Sequence, residues 1–292
     1  MSNEIKTMNK FGWIPDLPDI RDYTLFREEV SDKLDGNSIR GLLKSTCKNE
    51  LPPSEVDLRK WCSEIRRQGG LGSCTAQAAI GLLEYYENRA YGAHTKASPL
   101  FLYKVTRNLM QLTGDTGAGI RDVFKALVMF GAPPERYWGY DISRYEEEPS
   151  AFLYSLGQNY QALTYYRLDV AGTPPEKLLE RIKSTLVAGL PSIFGFVVYD
   201  SYTFGDTTGE IPFPAITDNM IGGHAVVAIG YDDSKIVFSA DGKAFTTGAF
   251  LIRNSWGEEW GVNGYGWLPY EYVLYSLAID FWSLIKAEWV DI

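Results

Sequence analysis

Cysteine and histidine are the scarce residues of this 292-residue chain: the first occurs at positions 47, 62 and 74, the second only as His94 and His224. Three thiols in a chain of this length do not make a disulfide framework, and no Asn-x-Ser/Thr sequon is present. Residues Met1 to Trp13 carry no apolar core of the kind a secretory signal needs. The longest apolar runs, Ala225–Ile229 and Ile193–Val198, fall far short of the roughly 20 residues that a membrane helix requires. A cluster of Lys and Arg is also missing and the net charge is −9, so a groove that tracks nucleic-acid phosphates is not expected. Together these absences point to a reducing compartment, the cytoplasm by default, with neither membrane nor nucleic acid as partner; export without a signal would leave the same sequence.

What is present is ordinary for a folded globular chain: 45% hydrophobic and 22% charged residues, with an aromatic share of 14% that suits strands. There is no internal repeat and no low-complexity tract. Residues 1–52 stand apart. Within them Phe11–Tyr23 holds two prolines among alternating acids and reads as extended, and Arg27–Asn49 leaves room for a short amphipathic helix. Leu51-Pro52-Pro53 marks the boundary to residues 53–292.

Up to about residue 159 the texture is helical. Thr75–Tyr91 repeats Ala, Leu and Tyr at three- and four-residue spacing behind a Gly72-Ser73 turn, and Pro99–Leu112 and Ile120–Phe130 read as two more helices. From residue 160 onward the segments shorten and become β-branched or aromatic. The exception is a helix at Pro175–Ala188; Ser192–Val198, Ala225–Tyr231 and Ala249–Arg253 are the clearest strands. A helical part followed by a strand-rich part gives an α+β chain with a cleft between two lobes.

Cys74 opens the first of these helices after a glycine-rich approach, Gln68-Gly-Gly-Leu-Gly-Ser. The unpaired N–H groups and positive dipole end of a helix N-terminus favour a thiolate there, although small residues and a cysteine also simply pack under helix ends. A thiolate needs a base, and two histidines leave a narrow choice. His94 lies 20 residues beyond Cys74, near the far end of the same helix and roughly 30 Å away if that helix is straight, which makes it a surface residue. His224 begins the apolar run AVVAIGY after Gly222-Gly223, among small neighbours that suit either an accessible ring or a core histidine.

Further along stands Asn254-Ser-Trp-Gly-Glu-Glu-Trp-Gly-Val-Asn-Gly-Tyr265. These residues resemble the NSWG-x-x-WG-x-x-GY signature of papain-like cysteine proteases. The resemblance runs in order through residues 54–292: Val56-Asp57-Leu58-Arg59 is similar to a mature start, Gln68 precedes Cys74 by six residues, and Gly223-His224-Ala225-Val226 matches the histidine strand. It implies a two-lobed fold, with a helical lobe over residues 53–159, a β-barrel-like lobe over 160–292 and the site between them. It implies Cys74 as nucleophile, His224 as base, Asn254 orienting the ring under Trp256, and Gln68 as oxyanion donor beside the Cys74 amide. A thiolate–imidazolium pair is expected by analogy with the family. Gly72, Ser73 and Gly223 would line the substrate cleft, and Gly117, Ala118 and Gly119 would pair with an extended peptide. A phosphate loop is excluded there, because no Lys-Ser/Thr follows.

The expected activity is hydrolysis of peptides or proteins, by default as an endopeptidase, without cofactor or metal. A transpeptidase or deamidase would share the thiol chemistry. A peptide-binding pseudoprotease would have lost one of Cys74, His224, Asn254 or Gln68, and all four are present. Secreted relatives place a disulfide-bonded cysteine three residues before the nucleophile and a Trp after it. Here those positions are Leu71 and Thr75, so other packing must hold the turn. Cys47 and Cys62 match no catalytic position and read as ordinary thiols. Phe11–Tyr23 is expected to pack on the catalytic domain and cover or regulate its groove.

Overall fold

The computed structural model describes residues 10–24, 30, 52–159 and 164–285; Cys47 and almost all of Arg27–Asn49 lie outside them. After a short strand β1 (Glu55–Asp57) come α1 (Cys74–Tyr91), α2 (Pro99–Leu109), α3 (Ile120–Phe130) and α4 (Ala151–Gly157). The second part runs β2 (Thr164–Arg167), α5 (Pro175–Val187), β3 (Ser192–Tyr199), α6 (Gly205–Thr208), β4 (Met220–Phe238), β5 (Phe245–Arg253), β6 (Tyr265–Pro269), α7 (Glu271–Leu274) and β7 (Ala278–Ile285).

Helix α1 is buried on every side from Cys74 to Tyr86; most of this stretch is apolar, and its buried Glu84 is satisfied by Arg66 and Ser63. It stops at Gly92, whose left-handed φ of 68° a side chain would resist. The Ser98 hydroxyl caps α2 by accepting the Phe101 amide, with Pro99 in the first turn. This helix ends at Leu109, earlier than its apolar pattern suggests: Gln111 turns left-handed and the Leu112 amide folds back onto the Arg107 carbonyl.

The strands form one antiparallel sheet in the order β2-β7-β3-β4-β5-β6, with β1 paired to the middle of β4. The barrel expected for this lobe does not close. Among the named strands the outer pair β2 and β6 do not meet: β2 pairs with β7 and is bridged on its other side by Thr24, while β6 pairs with β5 and is bridged by Glu210, so the sheet stays open. Strand β4 is the hinge of the arrangement. Its first part pairs with β3 and its second with β5, with irregular register near Ala228/Gly230 and Asp232/Ile236. Side chains Ala225–Ile229 are buried because α1 packs on this strand. Through β1, the start of the catalytic part is stitched into the sheet of the other lobe.

Candidate active site

The groove lies between the start of α1 and the first half of β4. Cys74 is fully buried. The turn before it is held by hydrogen bonds that replace a disulfide. Asp115 accepts the Gly72 amide at 2.9 Å and the Tyr103 hydroxyl at 2.5 Å, and Tyr103 in turn accepts the Gly117 amide at 3.0 Å. The Tyr140 hydroxyl donates to the Gln68 carbonyl at 2.9 Å, which leaves the Ser73 hydroxyl to donate to Tyr140 at 2.6 Å. The Gln68 side chain is aimed as well: Ser255 donates to its Oε1 at 2.7 Å, so Nε2 faces the groove.

Register sets His224 opposite Phe196 of β3. Its Nε2 lies 2.8 Å from Asn254 Oδ1, while buried Nδ1 has no hydrogen-bond partner among the described residues. Trp256 stacks on the imidazole at 4.4 Å and 23°, which fixes the ring plane and screens its bond to Asn254 from water. The backbone amide of Ala225, the residue after His224, reaches the Cys74 sulfur. Arg253 spans the two sides: its guanidinium lies against Gly81 of α1, where a Cβ would collide with it, and donates to the Glu64 carbonyl at 2.7 Å.

Residues 52–273 match the model of the papain family cysteine proteases. This chain belongs to that family. It is 33% identical over 286 residues to an uncharacterized peptidase C1-like protein of Acanthamoeba polyphaga mimivirus, covering 94% of this chain and 86% of that one. Cathepsin K of Gallus gallus is 29% identical over 73% of this chain and 58% of its own. Among solved structures, xylellain, a cysteine protease from Xylella fastidiosa, superposes with a TM-score of 0.73 at 29% identity, covering 98% of this chain and 99% of its own. A digestive procathepsin L 3 of Tenebrio molitor, at 20% identity and a TM-score of 0.61 over 82% of this chain and 71% of its own, shares the fold.

The groove of this cysteine protease is filled by its own N-terminal segment. Residues 10–24 form an extended strap, as their prolines and acids predict. Gln68 Nε2 donates to the Lys10 carbonyl at 2.7 Å, and the Gly12 amide points at the Cys74 sulfur. Ala118 gives its amide to the Gly12 carbonyl at 2.8 Å and takes the Ile14 amide at 3.1 Å, a parallel bridge centred on Trp13. Phe11 sits edge-on to His224, Trp256 and Tyr202. Downstream, the Asp16 carboxylate accepts the Arg121 amide in the first turn of α3, where orphan N–H groups and the helix dipole favour an anion. Arg121 and Asp22 pair at 2.6 Å.

Burial under the strap changes the electrostatics. Desolvation pushes the Cys74 thiol up to about 11, although the amides of Ala225, Gly12, Thr75 and Cys74 itself pull the other way. It pulls His224 down to about 4, partly opposed by Asn254. Burial under the strap therefore disfavours the expected thiolate–imidazolium pair, because a site closed to water solvates neither charge.

Every candidate site residue lies within the described residues. Gln68, Cys74, His224, Asn254 and Trp256 gather around the groove, with Gly72, Ser73, Gly117, Ala118, Gly119 and Gly223 along its walls. Gly12 is pressed against Gly72 and Gly117, and a Cβ on Gly119 would meet the Asp16 carboxylate. His94 lies in the loop beyond α1, bonded to Asn88 at 2.9 Å. Cys62 is a free, half-buried thiol, its pKa raised chiefly by burial. The sequence does not mark Asp115, Tyr103, Tyr140 or Ser255 as part of the site. Only Ser255, inside the Asn-Ser-Trp motif, carried a local signal.

Proposed function

We propose that this protease hydrolyses internal peptide bonds through a Cys74 thioester and is held inactive by its strap. The observation that carries the reading is Gln68. Its amide, fixed by Ser255, already donates to a peptide carbonyl beside the Cys74 sulfur. When the strap leaves, water and the α1 N-terminus support charge separation, and His224 Nδ1 takes the thiol proton. Cys74 attacks the substrate carbonyl carbon. Gln68 and the Cys74 amide stabilise the oxyanion, a donor of this kind contributing about 3–4 kcal/mol. His224 then gives its proton to the leaving amine, and water attacks the thioester to regenerate the thiol. Asn254 keeps the imidazole turned toward sulfur throughout.

Direction explains why the strap survives. The leaving amine must lie beside His224, where Phe11 sits, so the acyl part of a substrate occupies the opposite side, where Trp13 sits. A productive peptide runs from the Trp13 position toward the Phe11 position, and the strap runs the other way. It presents the Gly12 N–H to sulfur, and an N–H is not an electrophile.

The test is turnover of a fluorogenic peptide by full-length protein, by Cys74→Ser and by a chain lacking residues 1–50, with products identified by mass. Hydrolysis that needs Cys74 and rises on truncation supports the proposal. Transfer to an added amine in place of hydrolysis replaces it with a transpeptidase, and no Cys74-dependent turnover in either chain removes it.

A further inference from the structure

Trp13 is the largest side chain that the strap inserts into the groove, and it is 8% exposed. Its indole lies against Gly195 and Gly223, where a Cβ at either would overlap the ring. These glycines make a flat slot. At its end stands Asp280, fully buried. Asp280 Oδ2 accepts the Trp13 indole N–H at 3.2 Å and the Asp16 amide at 2.8 Å, while Oδ1 takes Arg167 Nη2 at 2.7 Å. The Asp280 backbone is left-handed, φ 59°, a conformation disfavoured for a side-chain-bearing residue. It is held by the Asp169 carboxylate, which accepts the Asp280 amide at 2.8 Å and the Phe281 amide at 3.0 Å.

Both donors to Oδ2 belong to the strap. Once it leaves, this oxygen faces an empty slot without either of them. A buried carboxylate oxygen stripped of its donors is costly, and a site built around such a group rejects a guest that cannot satisfy it.

We infer that Asp280 selects the substrate: the slot takes a flat acyl-side residue with an N–H at its far end, arginine or tryptophan, in place of Trp13. The inference rests on the peptidase reading for which side of the scissile bond is meant. Leucine and phenylalanine fill the slot but leave Oδ2 unpaired. Arg121 and Arg167 remain after Asp16 and Asp22 depart, opposed by Asp169 and Asp280, so selection comes from the direct contact and not from net charge.

The experiment uses the full-length chain with Trp13→Ala, which vacates the slot. Fluorogenic peptides carry Arg, Trp, Phe or Leu at each of the two acyl-side positions nearest the scissile bond. At one of them Arg and Trp should exceed Leu and Phe in kcat/KM by about 10- to 100-fold, the range for one hydrogen bond to a buried charge. Adding Asp280→Gly, which suits the left-handed backbone, should bring the ratios near one. Adding Asp280→Asn, which keeps an acceptor and serves if the glycine variant does not fold, should retain Trp over Phe and lose much of the Arg advantage. Equal or better use of Phe and Leu by the Asp280 enzyme, or ratios that survive Asp280→Gly, overturns the inference. Dissociation constants of the same peptides for Trp13→Ala/Cys74→Ala separate the two readings. The same ranking without turnover in the Cys74 enzyme leaves the slot intact and removes the peptidase; turnover without ranking does the reverse.

Discussion

Gly12→Ala should switch this protein on. Gly12 is stacked backbone to backbone on Gly72 and Gly117, and a Cβ at position 12 would overlap the Gly72 carbonyl. Gly72 cannot retreat cheaply, because its amide is anchored on Asp115. Overpacking of this kind typically costs 1–3 kcal/mol. Moving the strap away also weakens the bond from the Ala118 amide to the Gly12 carbonyl, worth about 1 kcal/mol net. Together these approach about 3 kcal/mol, or roughly 100-fold in the ratio of open to seated strap. While the open state is rare, initial turnover of a fluorogenic peptide scales with its population. The full-length variant should therefore cleave up to about 100-fold faster than the parent, less if the parent is already partly open. A correctly folded Gly12→Ala protein with unchanged or lower turnover would refute the steric reasoning.

The pH response of the thiol gives a second check. With the strap seated, the Cys74 pKa of about 11 makes alkylation of this residue slow near pH 7 and faster with each unit of rising pH; Gly12→Ala should react readily at pH 6–7, and superimposable profiles would count against the buried neutral pair. Gln68→Ala in the Gly12→Ala background should lower kcat by about 10²–10³ with little change in KM, as loss of an oxyanion donor does; an effect confined to KM would demote Gln68 to a binding group. Asp115→Ala removes the anchor of the nucleophile turn and should destabilise the fold by about 2 kcal/mol, the scale of hydrogen bonds to a charged group, read as a loss in denaturant midpoint. Burial raises the Asp16 carboxyl to about 6 from 3.8. A raised carboxyl stabilises the seated strap most below pH 3.8 and loses that contribution as pH climbs through 6. Asp16→Asn should therefore gain stability relative to the parent as pH rises from about 4 to about 6 and hold that gain above; a difference constant with pH would contradict this.

The site was legible in the sequence where chemistry is local. A cysteine after Gly-Ser at a helix start, a histidine opening an apolar strand and an Asn-Ser-Trp motif each carry their geometry within a few residues. The extended character of Phe11–Tyr23 was also readable, since proline and alternating acids leave few other conformations. What escaped depends on long-range contacts. Asp115 reaches Gly72 across 43 positions and Asp280 meets Trp13 across 267, and neither aspartate differs in local sequence from a surface acid. Closure of the sheet was not readable either, because strand content does not say whether β2 and β6 will meet. The direction of the Cys74 and His224 pKa shifts followed the covered state, in which desolvation outweighs the amides around the sulfur.

The most direct measurement is the intact mass of full-length protein after exposure to an epoxysuccinyl thiol inhibitor under reducing conditions, with Gly12→Ala and Cys74→Ala alongside. An activated Cys74 beneath a removable strap predicts a single adduct on Cys74, formed slowly in the parent, faster in Gly12→Ala and never in Cys74→Ala. No adduct in Gly12→Ala, or one that persists in Cys74→Ala, would contradict it.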